Sequence, residues 1–239
     1  MQDTVHDKPP IRMKSKKTGY EYEAVQDDGE TRVLGEGSFG TVIQAKNVTE
    51  DKSVAIKSTV KTGEEEIELM SGIPEHENVV KLLDHWTTSP WGGINQSFYL
   101  VMDLADFDMH YFVESILSPE NDQKEGLQTS TDLRKYANML TCGVKHLHEN
   151  KILHRDLKPA NVLVYEIENE DGDFDYVLKI TDFGISKKLE GTFHAGTTRA
   201  GTDRYMAPEV AISGRRYTNK VDYWSLGLVL YYLITGRTR

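Results

Sequence analysis

The sequence predicts an α+β protein in which strands dominate the first half of the chain and helices dominate the second half. β-Branched residues are frequent between residues 31 and 57, and residues 96–104 form a second β-rich run. Residues 64–70, between these runs, have a helical pattern. In the second half, six apolar residues share one helix face: Leu133, Tyr136, Ala137, Leu140, Val144 and Leu147. We therefore expect a small β-rich unit with one helix, followed by a larger, mainly helical unit.

The composition excludes several classes of protein. With 239 residues and 38% hydrophobic content, the chain can bury a sizeable core as one or two domains. A net charge of −10 argues against a nucleic-acid-binding surface as the main function. The single cysteine, Cys142, rules out an intramolecular disulfide framework, and no apolar N-terminal stretch resembles a secretory signal. We therefore expect an intracellular protein, cytoplasmic or nuclear.

Some segments depart from this regular pattern. Residues 1–20 are polar and contain Pro9-Pro10, so we expect a flexible tail, whose Lys14–Lys17 run is either a docking patch or simply solvated. Residues 118–130 and the acidic residues 166–175 are expected to be surface excursions. The longest apolar run, residues 226–234, is far shorter than the ~20 residues of a membrane-spanning helix, so we expect a buried helix.

The string from His154 to Asn161, followed by Asp182-Phe183-Gly184, carries the clearest chemical signal. Asp156 could accept a hydroxyl proton, while Asn161 and Asp182 supply the oxygen ligands that Mg²⁺ prefers. A His-Arg-Asp tripeptide alone is common in surface turns, but the eight-residue string with a downstream Asp-Phe-Gly is very hard to reach by chance. The spacing therefore indicates phosphoryl-transfer chemistry.

Three further motifs occur in the chain: Gly35-Glu36-Gly37-Ser38-Phe39-Gly40-Thr41-Val42, then Val54-Ala55-Ile56-Lys57, and later Ala207-Pro208-Glu209. The glycine pattern alone is weak, because it also opens dinucleotide-binding units, where a helix follows at once. Here β-branched residues follow Gly40, so we expect the glycines to lie in a hairpin between two strands. Together the five motifs resemble those of eukaryotic protein kinases of the serine/threonine-specific class.

The resemblance covers the chain from about Val33 to the C-terminus and implies a two-lobed kinase-like fold over residues 21–239. It implies an N-lobe over about residues 21–103, a hinge at 103–105 and a C-lobe over 106–239, with ATP bound between the lobes. In the family, further helices cover the one that contains residues 226–234. We therefore expect a C-terminally truncated domain. The acidic residues 166–175 lie where the family has a hairpin, so we expect an elongated turn there.

Several residues gain a role in ATP binding from the resemblance. Gly35, Gly37 and Gly40 would let backbone N–H groups approach the phosphates, although a flexible hairpin turn would also use glycines. Lys57 would contact the α- and β-phosphates and pair with a helix glutamate, for which we select Glu66. A solvated acidic face is the alternative for Glu66 and for its neighbours Glu64, Glu65 and Glu68.

The resemblance also implies an adenine pocket. Met102 would control the back of this pocket, and Asp108 would reach the ribose. The remaining expected contacts are apolar or hinge residues: Leu34, Val42, Ala55, Asp103, Ala105 and Leu163. Apolar residues are more often ordinary core, and that alternative stays open for each of them.

For the chemical step, the resemblance implies that Asp156 orients the substrate hydroxyl and takes its proton, while Lys158 neutralises charge on the transferring phosphate. Asn161 and Asp182 would hold Mg²⁺. Lys158 and Thr202 favour serine/threonine specificity. His154 and Phe183 are interpreted as packing residues.

The resemblance also suggests control by phosphorylation. Arg155 would bind a phosphate on Thr198, with Thr197 as the second choice. The alternative is that both threonines are merely exposed loop residues.

The sequence therefore predicts an enzyme that uses ATP and Mg²⁺ to phosphorylate serine or threonine in proteins, with no nucleic-acid partner and no membrane span. One alternative is a pseudokinase scaffold or an inactive kinase fragment, which the intact Lys57, Asp156, Asn161 and Asp182 argue against. A second alternative is a small-molecule kinase with a related fold.

Overall fold

The computed structural model describes residues 11–37, 40–60, 62–89, 96–117, 130–170, 172–188, 201–211 and 218–238. These residues form two compact units. The first contains the residues up to Ser71 and Lys81–Leu104, and the second contains Gly72–Val80 and the residues from Ala105 onward. The boundary after Leu104 lies within the expected 103–105 hinge. The fold is α+β and kinase-like, as expected from the sequence.

The first unit is mainly a seven-stranded antiparallel sheet in which β1, β2, β6, β7, β9 and β8 are neighbours in that order and β5 also pairs with β6. Its strands are β1 (Arg12–Lys14), β2 (Glu21–Ala24), β5 (Val33–Gly37), β6 (Gly40–Asn47), β7 (Lys52–Thr59), β8 (Asp84–Thr88) and β9 (Ser97–Asp103). A small ribbon, β3 (Gln26–Asp27) with β4 (Glu30–Thr31), lies between β2 and β5 in the chain. Among the described residues of this part, helix α1 (Gly63–Gly72) is the one helix.

The expectation of a flexible tail through residue 20 is wrong from Ile11 onward. Strands β1 and β2 form a hairpin. A hydrogen bond of 2.7 Å from Thr18 Oγ1 to Oδ2 of the buried Asp84 holds the turn of this hairpin in place. Tyr22 also donates to this oxygen, at 2.9 Å, and its ring stacks on Trp86 at 5.4 Å. These long-range contacts order a segment whose local sequence has no strand pattern.

The second unit begins with Gly72–Val80, which the sequence assigned to the N-lobe. Val80 N donates to Ile180 O and Ile180 N donates to Asn78 O, both at 2.9 Å, and these hydrogen bonds join the segment to Ile180. The remaining strands are β10 (Phe107–Asp108), β11 (Ile152–Leu153), β12 (Val162–Glu168), β13 (Phe174–Ile180) and β14 (Lys187–Lys188). The helices are α2 (Met109–Tyr111), a π-helical turn (Phe112–Ile116), α3 (Ser130–Glu149), α4 (Pro208–Ala211) and α5 (Lys220–Thr235), with short 3₁₀ turns at Pro159–Asn161 and Asp203–Tyr205.

Helix α3 buries the apolar face that the sequence predicts. Tyr136, Leu140, Val144 and Leu147 are all buried along one side of the helix. Within the acidic residues 166–175, strand β12 extends to Glu168 and strand β13 begins at Phe174, and Asn169 N donates to Asp173 O at 2.8 Å. The strands therefore extend into the segment that was expected to be an elongated turn.

Helix α5 is buried on only one side. Leu226, Val229 and Leu233 lie in the core, whereas Tyr231 is 40% exposed and Ile234 is 61% exposed. In the described part of the chain, no helix is long and apolar enough to cross a membrane.

Candidate active site

In the first unit, the structure brings Lys57 and Glu66 together. The Lys57 ammonium donates to both carboxylate oxygens of Glu66, at 2.7 and 2.9 Å, and the two residues are 6% and 1% exposed. Glu64, Glu65 and Glu68 are exposed on the same helix. The acidic-face alternative therefore applies to these three glutamates and not to Glu66.

The glycine-rich segment is a hairpin between β5 and β6, with Gly37 opposite Gly40. Gly40 has φ 128°, and a Cβ atom there would lie 2.1 Å from Ser58 O, so only glycine fits. Gly35 and Gly37 have open space where a side chain would stand. Ser38 and Phe39 lie outside the described residues.

The expected adenine contacts divide between the two units. In the first unit, Ala55 pairs with Met102 across β7 and β9, Met102 is 7% exposed and Leu34 is 44% exposed. Val42 lies on β6, where it pairs with Lys57 of β7. Asp103, the last residue of β9, forms an ion pair with Lys52 at 2.5 Å.

In the second unit, Ala105 lies two residues before the strand β10, and Asp108 on β10 lies opposite Leu163 on β12. Asp108 caps helix α2, since its Oδ1 accepts a hydrogen bond from Tyr111 N at 2.8 Å. One oxygen of the carboxylate that was expected to reach the ribose therefore already accepts a hydrogen bond at the start of this helix.

Asp156 is the centre of a hydrogen-bonded group in the loop between β11 and β12, where it is 4% exposed. Its Oδ1 accepts from Thr202 N at 2.8 Å and from Thr202 Oγ1 at 2.7 Å. Its Oδ2 accepts from Lys158 Nζ at 2.7 Å and from Asn161 Nδ2 at 3.2 Å. Both oxygens are therefore oriented by donors from nearby loops.

Two of these donors are themselves fixed in place. Asn161 Nδ2 also donates to the backbone oxygen of Asp156 at 2.8 Å, and Lys158 Nζ donates to Thr202 Oγ1 at 3.0 Å. Gly201 allows the close approach of Thr202, because its φ is 113° and a Cβ there would lie 2.4 Å from Arg155 O. The sequence treated Thr202 only as a sign of kinase class, whereas the structure places it on Asp156.

Asp182 follows strand β13 in a left-handed conformation with φ 65°. Its Oδ1 is 3.4 Å from Gly184 N. Phe183 and His154 are buried against each other, with ring centroids 5.4 Å apart. The His154 ring donates from Nε2 to Thr181 O at 2.9 Å, so it lies beside Asp182 as a packing residue.

Asp222 is a site residue that the sequence reasoning missed. This aspartate at the start of helix α5 is 1% exposed, and its Oδ2 accepts from His154 N at 2.9 Å and from His148 Nε2 at 2.8 Å. Its Oδ1 accepts from Arg155 N at 2.9 Å. A carboxylate at the start of an apolar helix was the available signal, because such a group must find donors when it is buried.

The predicted regulatory residues are only partly described. Arg155 has φ 68°, and its Nε donates to Ile185 O at 2.6 Å. Thr197 and Thr198 lie outside the described residues. The pairing of Arg155 with a phosphate therefore stays a prediction.

Comparison with known proteins gives a consistent result. A family model described as "Protein kinase domain" matches residues 29–239. The chain is 33% identical to the "Stress-activated protein kinase JNK" of Suberites domuncula over 204 residues, which are 85% of this chain and 53% of that protein. It is also 31% identical over 218 residues to "Serine/threonine-protein kinase 33" of Bos taurus, covering 86% of this chain and 41% of that protein.

A third relative, "Mitogen-activated protein kinase kinase kinase 15" of Mus musculus, is 33% identical over 226 residues, covering 91% of this chain and 15% of that protein. The chain thus spans about half the length of the first of these relatives, and less of the other two. The family model covers most of the chain, and the relatives match most of it as well. The chain belongs to the protein kinase family.

Proposed function

We propose that this protein is a serine/threonine protein kinase that transfers the γ-phosphate of ATP to hydroxyl groups of protein substrates in the presence of Mg²⁺. The observation that carries this proposal is the arrangement of donors around Asp156. A buried carboxylate held by Thr202, Lys158 and Asn161 has a fixed direction, as a group that must receive a hydroxyl proton needs. The sequence motifs of the same residues support the same chemistry.

Asp156 would accept the proton of the substrate hydroxyl as that oxygen bonds to the γ-phosphorus of ATP and the bond from this phosphorus to the bridging oxygen breaks, releasing ADP. Thr202 Oγ1 and Thr202 N hold Oδ1 from one side, and Lys158 holds Oδ2 from the other. Because Lys158 Nζ also lies 3.0 Å from Thr202 Oγ1, its positive charge is held beside the proton acceptor. There it would stabilise the negative charge on the transferring group.

Asn161 and Asp182 suit a magnesium ion because both can offer hard oxygen atoms. The amide nitrogen of Asn161 is used on Asp156, which leaves its amide oxygen as the acceptor end. The described residues contain no group of three or more His, Cys, Asp or Glu that could hold a metal alone, so phosphate oxygens and water would complete the ligand set. Bound Mg²⁺-ATP would supply the phosphoryl group and neutralise charge on it.

Lys57 would bind the α- and β-phosphates in the first unit. Its pairing with both oxygens of Glu66 fixes the ammonium in a buried position. An ammonium whose direction is fixed before ATP arrives loses little conformational entropy on binding. Gly40, where only glycine fits, would keep the adjacent hairpin close to strand β7.

A phosphate-transfer assay on the full-length protein tests the proposal. The acceptors are a serine/threonine peptide library and a panel of small metabolites, each with ATP and Mg²⁺. We expect transfer to peptides and loss of transfer by about 10²–10⁴-fold in Asp156→Asn, which keeps the size of the side chain but is not a base. ATP affinity should be unchanged.

Asp175→Ala is the matched control, because this aspartate is exposed on strand β13 and forms an ion pair with the exposed Lys135. It should transfer phosphate at the wild-type rate. A wild-type protein that binds ATP and transfers phosphate to no acceptor would favour the scaffold alternative. Transfer to metabolites alone would favour the small-molecule kinase. Equal loss of affinity and rate in Asp156→Asn would contradict the role of Asp156.

A further inference from the structure

Two histidine rings stack where the segment Pro74–Val80 meets helix α3. The ring centroids of His76 and His146 are 4.5 Å apart with an interplanar angle of 27°. Both residues are half-buried. Such a stack is favourable for neutral rings and unfavourable when both rings carry a positive charge.

Hydrogen bonds fix where the protons lie on these rings. His76 Nδ1 accepts a hydrogen bond from Asn78 N at 3.0 Å, so this nitrogen carries no proton in the observed arrangement. His146 Nε2 donates to Pro74 O at 2.8 Å. His76 is therefore neutral here, and a second proton would have to enter at Nδ1, against the Asn78 N–H.

The same segment supports the strand that leads to Asp182. Asn78 Nδ2 donates to Leu178 O at 3.0 Å, and Val79 pairs with Ile180 in a parallel bridge. Two backbone hydrogen bonds of 2.9 Å also join Val80 and Asn78 to Ile180, which is two residues before Asp182. The segment thus lies along the end of β13 from which the expected metal ligand projects.

Helix α3 approaches this contact closely. A Cβ atom at Gly143 would lie 2.8 Å from Asn78 O and 2.9 Å from Ile180 Cδ1. Helix α3 therefore packs closely against both Asn78 and the end of β13. Asn78 also joins His76 to β13, since its N–H donates to His76 Nδ1 and its carbonyl oxygen accepts from Ile180 N.

We propose that His76 is a titratable positioning residue, whose neutral ring holds Pro74–Val80 against β13 and whose protonation releases it, so that Asp182 loses its support in mild acid. Protonation at Nδ1 would replace the hydrogen bond from Asn78 N with two donors that face each other. It would also place a positive charge on the His76 ring, directly beside the stacked ring of His146. The consequence for catalysis rests on the proposed kinase function, whereas the release of the segment does not.

Charged groups around His76 agree with this direction. Burial, and then the charge that His146 can carry, lower the pKa of His76 below its ordinary value of 6.5, while Glu77 in the segment and Glu149 in α3 act in the opposite direction. A histidine with a lowered pKa in the docked state supports docking fully above pH 6.5. This support is lost as the pH falls through the lower, docked-state pKa.

Amide hydrogen exchange of the full-length protein tests the proposal at Val80 and Ile180, whose N–H groups join the segment to β13. After correction for the chemical exchange rate, we expect the protection of both amides to fall as the pH is lowered below about 6.5. His76→Asn should keep this protection at all pH values, because the asparagine oxygen can accept from Asn78 N and does not titrate. His85→Asn, in the first unit, is the matched control and should keep the wild-type pH dependence.

NMR shifts give a second measurement that does not depend on a variant. In the wild type, the amide shifts of Asn78 and Asp182 should follow the titration of the His76 ring. A flat protection profile, or an Asp182 shift that does not follow His76, would overturn the proposal. So would pH dependence at Val80 that survives in His76→Asn. If the protein transfers no phosphate, the proposed function fails separately, because neither measurement uses activity.

Discussion

Replacing Asp222 by alanine should destabilise the second unit strongly. The carboxylate accepts hydrogen bonds from His154 N, His148 Nε2 and Arg155 N at 2.8–2.9 Å, and Asp222 itself is 1% exposed. Alanine offers these donors nothing, and water has little access to them. An orphaned buried donor costs about 1–3 kcal/mol, so the two backbone donors together predict a loss of about 2–6 kcal/mol in the free energy of unfolding.

Two comparison variants make this magnitude specific. Asp222→Asn keeps one acceptor oxygen and should therefore lose less than Asp222→Ala. Asp175→Ala removes an exposed ion pair with Lys135 and should change the free energy of unfolding by only about 0–1 kcal/mol. Urea unfolding gives the three free energies, and hydrogen exchange at the His154 and Arg155 amides shows whether the loss of stability is local to the loop that contains Asp156.

The phosphate-transfer rate should fall in the same order as these free energies, because Asp222 holds the backbone that leads directly into Asp156. The reasoning is refuted if Asp222→Ala unfolds within 1 kcal/mol of the wild type. It is also refuted if the His154 and Arg155 amides exchange no faster in that variant. Either result would mean that other groups satisfy these donors when the carboxylate is absent.

Three further predictions concern other residues. Asp182→Asn should nearly abolish phosphate transfer, as should removal of Mg²⁺ by a chelator, while the circular dichroism spectrum stays unchanged; a variant with the unaltered rate would contradict the metal role. Glu66→Gln should cost about 3–5 kcal/mol, since it leaves the buried Lys57 ammonium without its carboxylate, whereas Glu68→Gln on the exposed face of the same helix should change stability by less than about 0.5 kcal/mol. Burial alone would raise the pKa of Asp84, but hydrogen bonds from Thr18, Ser15, Tyr22 and the His85 backbone outweigh it and lower the pKa below 3.8. Asp84 should therefore stabilise the first unit above about pH 3.8, and this stabilisation should be lost as the pH falls through the lower folded-state pKa. Acid unfolding curves with the same pH dependence in wild type and Asp84→Asn would contradict this prediction.

Local patterns in the sequence predict those features of this protein that depend on residues close together in the chain. The apolar period of residues 133–147 predicts helix α3, and the β-branched residues after Gly40 predict a hairpin rather than a strand-to-helix turn. The spacing of Asp156, Asn161 and Asp182 indicates phosphoryl transfer for the same reason. Periodicity and motif spacing are properties of short segments, so they can be read without knowledge of distant neighbours.

The tertiary structure decided which residues of a plausible set meet. Four glutamates in residues 64–68 fit the partner of Lys57 equally well by type, and in the structure Glu66 is the one that is buried and hydrogen-bonded to Lys57. The hairpin at residues 12–24 is ordered by Asp84, about 60 residues away in sequence, and no local pattern encodes that contact.

The support of the loop that contains Asp156 has the same origin. Asp222 meets His154 and Arg155 across about 70 residues, and His76 meets His146 across the same distance. A buried polar group must find partners wherever the packed chain brings them, so its role follows from the complete fold. The sequence thus determined the class of chemistry through local spacing, and only the tertiary structure determined which buried groups hold that chemistry in place.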